Sequence, residues 1–413
     1  MITRRQFIAA SAATAAAGAT GLLALGSHHA PAIAGSSAAS STTTTGSAVA
    51  PSNTVVTSAA ASLAPAPPAL GRVLVVLQLN GGNDGLNTLI PVGASHGRYR
   101  DLRKTIGIDN PVALKGQADY GLHPALAPIS KLWDAGRLRA VAGVGFPHPN
   151  RSHFEAMRWW WNATLGGAGS TGWLGRYFDT TSVANPMQAI SLGGSMPGLT
   201  GANSAPIMVL DPSSFSLQVP KLTDSAGVRA ALSTFGPSYA NALSATNLFS
   251  KVNKKTPRKA GDLLTVAADL IEQSASTQVI AVSIGGFDTH SGQDLRQNDL
   301  LGQVGQGIAD FFDQIDASGH GDRVMLMTTS EFGRRAYENG SGGTDHGKAS
   351  VHFMAGAGIT SGVSGAWDLN HLDDGDLPPV IDSRAYLANG INWLGGNGGS
   401  ILGTDFTPQN LLA

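Results

Sequence analysis

The stretch RVLVVLQLNGGNDGLN, residues 72–87, decides the fold. Its first eight residues form a nearly continuous apolar run rich in valine and leucine, and Asn and Gly end it abruptly. Such a run suits a strand buried on both faces, as in a parallel sheet, rather than one with every second residue in water. The pattern recurs along the chain. Strands are expected at Arg72–Leu79, Leu138–Val144, Ile207–Leu210, Gln278–Ile284, Arg323–Thr329 and Val351–Ala355. Helical periodicity predicts helices over Pro124–Ala135, His153–Ala163, part of Tyr239–Phe249, Ala260–Gln273, Asp294–Ala317 and Arg384–Leu394. The alternation predicts an α/β fold: a doubly wound, largely parallel sheet with helices on both faces.

Upstream of this body the chain reads as an address. Thr3-Arg4-Arg5-Gln6-Phe7-Ile8 has the twin-arginine form, an Ala/Gly/Leu stretch runs to Leu25, and Ala32-Ile33-Ala34 offers a small-x-small cleavage site. Residues 1–34 are therefore expected to be an export signal handed to the twin-arginine translocase, which places the protein in the periplasm or outside the cell. The stretch is too rich in Ala and Gly to anchor in a bilayer, so no stable membrane span is expected. Residues 35–70 carry no charge and are dominated by Ser, Thr, Ala and Pro. They cannot bury enough apolar surface to offset their ordering entropy and are expected to be a disordered linker. Residues 71–413 then form a single domain, and the Gly/Pro/Ser-rich segment 196–236 within it reads as a cap or insertion.

Composition excludes several chemistries. Charged residues are 13% of the chain and the formal net charge is −1, with no basic stripe, so a nucleic-acid partner is not expected. The chain has no cysteine, which excludes disulfides, thiolate catalysis, iron–sulfur clusters and cysteine-based zinc sites. It also lacks a G-x-S-x-G elbow, an H-E-x-x-H helix and a Walker A loop.

Function in an open α/β sheet sits beyond the carboxyl ends of its strands. After the first strand come Asn80, Asp84 and Asn87; after the second, Arg151-Ser152-His153; after Ile284, Asp288 and His290; after Thr329, Glu331, Arg334 and Arg335, then Asp345-His346. Asp288 and His290 share one side of an extended segment. Asp345 and His346 are adjacent and converge only through a turn, which Gly343 and Gly347 permit. Mixed Asp/His sets suit zinc or manganese, and carboxylate-rich ones suit magnesium or calcium. Either pair taken singly also reads as a turn carboxylate beside a hydrogen-bonded histidine. Ser152 is the candidate nucleophile, at a helix start whose free N–H groups would receive an anion. It reads equally as an N-cap with Glu155 closing a capping box. Arg151, Arg334 and Arg335 are candidate oxyanion clamps, with surface pairing to Asp322 or Glu338 as the alternative. Glu331 and His153 complete the candidate catalytic set. Trp159-Trp160-Trp161 cannot all face one way on a helix.

Together these residues resemble an exported bacterial family, the "domain of unknown function 1501" proteins. The resemblance rests on LNGGNDGLNTLIP (79–91), LHPAL (122–126), FPHPNRSHF (146–154), GWLGRY (172–177), GGFDTH (285–290) and SEFGRR…NGSGGTDHG (330–347), and covers nearly all of residues 71–403. That family is grouped with the alkaline-phosphatase-like, sulfatase-like superfamily. The resemblance thus implies an alkaline-phosphatase-like fold and one or two divalent ions, zinc, manganese or magnesium. It implies Asp288 and His290 as ligands of one metal and Asp345 and His346 as ligands of the other. The residue after the first strand would join the second pair, Asp84 in preference to Asn80 or Asn87. The superfamily places an Asp where Asn80 stands, so a weaker ligand field is implied. Ser152 takes the nucleophile role by location. The function so implied is an exported metal-dependent hydrolase of small-molecule or polymer phosphate or sulfate esters, with Arg334 stabilising charge. The alternative is a non-catalytic exported protein that keeps the fold for envelope assembly or binding.

Overall fold

The computed structural model describes residues 71–167, 169–181, 186–210, 245, 247–252 and 259–413. The chain divides into Met1–Ala66 and Pro67–Ala413. The export signal, the linker, residues 211–236 of the expected insertion and much of the expected helix at Tyr239–Phe249 lie outside the described residues.

The second unit is built on one large sheet. Its strands are β1 (Val73–Leu79), β2 (Leu138–Gly145), β3 (Ala189–Leu192), β4 (Ile207–Val209), β5 (Val279–Ile284), β6 (Val324–Thr329), β7 (Ser350–Gly356), β8 (Gly362–Ser364) and β9 (Ile381–Asp382). The order is β8-β2-β7-β6-β1-β5-β3-β4, with β9 pairing on β2, nine strands among the described residues. Every pairing is parallel except the two made by β7, which runs antiparallel to both β2 and β6.

β1 lies near the centre, and all seven of its residues are buried. Val73, Val75, Leu77 and Leu79 enter a core shared with the helices Ala260–Gln273 and Gln293–Ala317. Leu74 and Val76 enter the opposite core with the helices His153–Asn162, Trp173–Asp179 and Ser383–Trp393. These five helices are α1 (His153–Asn162), α2 (Trp173–Asp179), α3 (Ala260–Gln273), α4 (Gln293–Ala317) and α5 (Ser383–Trp393). Burial on both faces is why the strand reads as an unbroken apolar run, each such side chain contributing about 1.5–3 kcal/mol.

All six expected strands are present. Those the sequence left out are β3, β8, β9 and a separate antiparallel sheet of Leu89–Pro91, Val112–Leu114 and Gln117–Leu122. Pro124–Ala135 is not one α-helix. It is a 3-10 segment, Pro124–Ile129, followed by a short α-helix at Ser130–Asp134, and Pro128 has no N–H to continue an α ladder. The expected capping box at α1 does not close: Ser152 makes no side-chain capping bond, and Glu155 pairs with Arg158 at 2.5 Å instead. Trp160 is core, and Trp159 and Trp161 are half-buried. No helix among the described residues is long and apolar enough to cross a membrane.

Candidate metal centre

The loops leaving β1, β5 and β6 meet the segment before β7, and glycines allow the approach. A Cβ on Gly81, which has φ +121°, would stand 2.2 Å from the Asp288 nitrogen. One on Gly343 would stand 2.3 Å from the His290 carbonyl carbon. Arg334 fastens the junction from inside. Its side chain is fully buried; it donates to the carbonyls of Gly82 (2.8 Å), Thr344 (2.9 Å), Phe287 (2.9 Å) and Gly81, and to Asp288 Oδ1 (2.8 Å). Each of the three guanidinium nitrogens is engaged. Fully buried, Arg334 organises the loops and aims Asp288 rather than presenting its guanidinium at the surface, where the charge-stabilising role expected of it would require it.

Around Asp288 stand three imidazoles. Its Oδ1 lies 3.0 Å from His290 Nε2 and 3.1 Å from His346 Nε2, and its Oδ2 lies 3.4 Å from His153 Nε2. His290 Nε2 and His346 Nε2 are themselves 2.9 Å apart. The outer nitrogen of each ring is spoken for. His153 Nδ1 meets Glu331 Oε1 at 2.8 Å, His290 Nδ1 meets Asp345 Oδ1 at 3.2 Å, and His346 Nδ1 meets the Arg151 carbonyl at 2.9 Å. An acceptor at Nδ1 fixes the proton there, so in the neutral ring Nε2 presents a lone pair. The lone pairs of His153 and His346 then gather on the Asp288 carboxylate, with His290 Nε2 beside Asp288 and His346, a repulsive arrangement that a cation relieves. Outer-nitrogen partners of this kind are what metal-binding histidines have.

Burial and hydrogen bonding pull the groups of the site in different directions. Burial pushes the Asp288 carboxyl up, but the hydrogen bond from Arg334 and the Arg334 charge outweigh it and hold the group at about 2. The hydrogen bond to Glu331 raises His153 against the lowering effect of burial. Burial lowers His346, favouring its neutral form, and the Asn339 side chain helps to hold Asp345 ionised.

The donor set fits a cation. The ligand atoms of His153, Asp288 and His346 lie within 4.8 Å of one another, and the closest separations approach the roughly 3.3 Å edge of a zinc tetrahedron. Imidazole-rich sets favour zinc over magnesium.

The expected pairs are rearranged. Asp345 and His346 do not form a second centre: His346 joins Asp288 and His290, and Asp345 stands behind His290. Asp84 is elsewhere altogether. It is 1% exposed, its carboxylate takes Arg103 at 2.5 Å and Gln293 at 2.5 Å, and nothing is left to coordinate an ion. Asn80 bonds Gln78 and donates to Ser283 Oγ at 2.8 Å. Ser152 is exposed immediately before His153. The sequence reading missed Arg103, Gln293 and Asn339. Gln293 is the outer support of two loops, accepting from Thr289 (3.1 Å) and Thr344 (2.6 Å); its place three residues after His290 was the only available signal.

Several solved structures are similar. A protein in the alkaline phosphatase superfamily from Vibrio parahaemolyticus is 8% identical, with 81% of this chain and 69% of that one covered and a TM-score of 0.42. The C-terminal periplasmic domain of EcEptC from Escherichia coli, in complex with Zn, is 10% identical over 82% and 88%, with a TM-score of 0.41. The lipoteichoic acid synthase LtaP from Listeria monocytogenes is 10% identical over 81% and 75%, with a TM-score of 0.36. No curated protein matches the chain. The family model described as "Protein of unknown function (DUF1501)" matches residues 144–374, more than half of the sequence and the whole stretch from His153 to His346. The chain belongs to the DUF1501 family.

Proposed function

We propose that this protein is an exported metal-dependent hydrolase of phosphate or sulfate esters, working at one divalent centre held by His153, Asp288, His290 and His346. The observation that carries the reading is the convergence of three Nε2 atoms on Asp288 with every outer nitrogen already bonded. Bound there, a zinc-like cation would lower the pKa of an oxygen nucleophile and draw charge from the ester's oxyanion. The chain's own groups prepare this. Glu331, Asp345 and the Arg151 carbonyl hold the three imidazoles in one tautomer, and Arg334 keeps Asp288 ionised. Ser152 supplies the nucleophile in this reading. Its exposed hydroxyl makes no capping bond; it would attack phosphorus or sulfur, its proton leaving with the alcohol, and water would then cleave the Ser152 ester to release phosphate or sulfate. The twin-arginine sequence supports export with the centre already folded.

The test is zinc content and turnover of p-nitrophenyl phosphate and sulfate by wild type, His346→Ala and Ser152→Ala. Expected are about one ion per wild-type chain, loss of ion and turnover in His346→Ala, and loss of turnover alone in Ser152→Ala. A chain that takes up no zinc, manganese or magnesium overturns the reading, and full turnover in Ser152→Ala overturns the nucleophile. A binding protein without turnover is the second reading, favoured by the full burial of Arg334 away from any bound oxyanion.

A further inference from the structure

Three cations flank the centre without entering it. Arg151 is two residues before His153, Arg335 follows Arg334, and Lys348 is two residues after His346. All three are turned toward one acidic turn, Asp373-Asp374-Gly375-Asp376. Arg151 pairs with Asp376 and lies 3.8 Å from Asp374. Arg335 donates to the Asp374 carbonyl and lies 3.8 Å from Asp376, and Lys348 pairs with Asp373. The three carboxylates differ. Asp376 is fully buried, whereas the side chains of Asp373 and Asp374 are 59% and 80% exposed. The turn is closed by reciprocal main-chain bonds between residues 373 and 376, and Ala336 and Ala349 donate to the carbonyls of Gly375 and Leu377. A cleft of about 420 Å³, lined in part by His148, Lys348, Asp373 and Phe406, opens beside the Lys348–Asp373 pair.

We propose that Arg151, Arg335 and Lys348 form a binding subsite for a second anionic group of the substrate, and that Asp373 and Asp374 are exchangeable counter-anions occupying it in the free protein. Asp376 is the fixed partner that keeps both arginines aimed. With the two exposed carboxylates displaced, three cations face one carboxylate, and the surplus positive charge selects a polyanionic ester, a chain carrying repeated sulfate or phosphate groups, over an isolated monoester. The position of the scissile ester rests on the function proposed above; the subsite itself does not.

The experiment is binding of dextran sulfate, with uncharged dextran as control, to the full chain in chelator, combined with amide hydrogen exchange. Expected is salt-sensitive binding to wild type, strengthened at least about tenfold in Asp373→Asn/Asp374→Asn and lost in Arg151→Gln/Arg335→Gln. Exchange at the amides of residues 373–376 should rise on binding, a change that general surface attraction would not produce. Asp374→Asn alone, at an exposed position with little folding risk, should bind more tightly than wild type. Wild-type affinity in the double-arginine variant, or an unchanged turn in the presence of dextran sulfate, overturns the proposal. Polyanion binding as expected without ester turnover removes the hydrolase reading and leaves the subsite. Turnover of simple esters without any polyanion effect does the reverse.

Discussion

Asp84 and Asp288 begin alike, each an acidic residue in a glycine-rich loop just past a buried strand, and end in opposite roles. Asp84 is sealed: Arg103 and Gln293 take its oxygens, and Arg103 spends further donors on the carbonyls of Ala336 (2.7 Å) and Arg335 (2.8 Å). Asp288 is 47% exposed and receives Arg334 from one side only. Its remaining lone-pair directions point at imidazole nitrogens that have no proton to give. What separates a structural carboxylate from a ligand-like one is the number of acceptor sites left unspent, and that number depends on residues far away in sequence.

The comparison breaks first at Arg103. Removing it leaves a buried, unpaired carboxylate, so Arg103→Ala should lower the unfolding free energy by about 3–5 kcal/mol in urea titrations. A loss below about 1 kcal/mol would mean that Asp84 is not sealed at all. His290→Ala is the counterpart on the open side. The ring is 44% exposed, so stability should change by less than about 1 kcal/mol while zinc affinity falls about 100-fold in competition with a chelating dye. Unchanged affinity would remove His290 from the centre.

Histidines extend the contrast. His352 is fully buried, neither ring nitrogen has a hydrogen-bond partner, and burial pushes it down to about 3. The unfolded state, with an ordinary pKa near 6.5, takes up this proton first. His352 therefore leaves stability untouched above about pH 6.5 and lowers it by up to about 1.4 kcal/mol per unit as the pH falls toward 3. Burial also lowers His123, to about 4, which adds to the slope. His352→Phe should flatten the stability–pH curve between about pH 4 and 6 by the share of one group; an unchanged slope would mean the ring is not kept neutral. The smallest effect belongs to Glu155→Gln. Breaking an exposed pair three residues apart should cost under about 0.5 kcal/mol, and a larger loss would restore the capping role the sequence suggested.

The strands were legible because a residue buried on both faces is usually apolar whatever its partner, and β1, β2, β5, β6 and β7 obey this over most of their length, with Arg139 in β2 and His352 in β7 among the exceptions. The residue types of the centre were legible for a similar reason: GGFDTH and TDHG place Asp and His in turns beyond strands. The grouping was not. Nothing local in Asp345-His346 says that one faces the centre and the other stands behind His290, since that depends on the Arg334–His346 backbone bridge. Arg334 is likewise opaque. An arginine after a strand reads as a clamp for substrate, and only the carbonyls of three separate loops show that its donors are already engaged.

β7 has a consequence for how the molecule is made. It is the one antiparallel strand of the large sheet among the described residues, it comes late in the chain, and it sits between β2 and β6, both of which emerge earlier. Until residues 350–356 arrive, β2 has no partner in the sheet and β6 keeps an open edge, each an opening for another chain to add a strand. Joining them closes a contact between distant parts of the sequence, which is slow to find. Synthesis of the last quarter of the protein is thus the interval of greatest exposure to aggregation, and it ends when a strand two residues from Lys348 fills the gap beside the segment that carries His346.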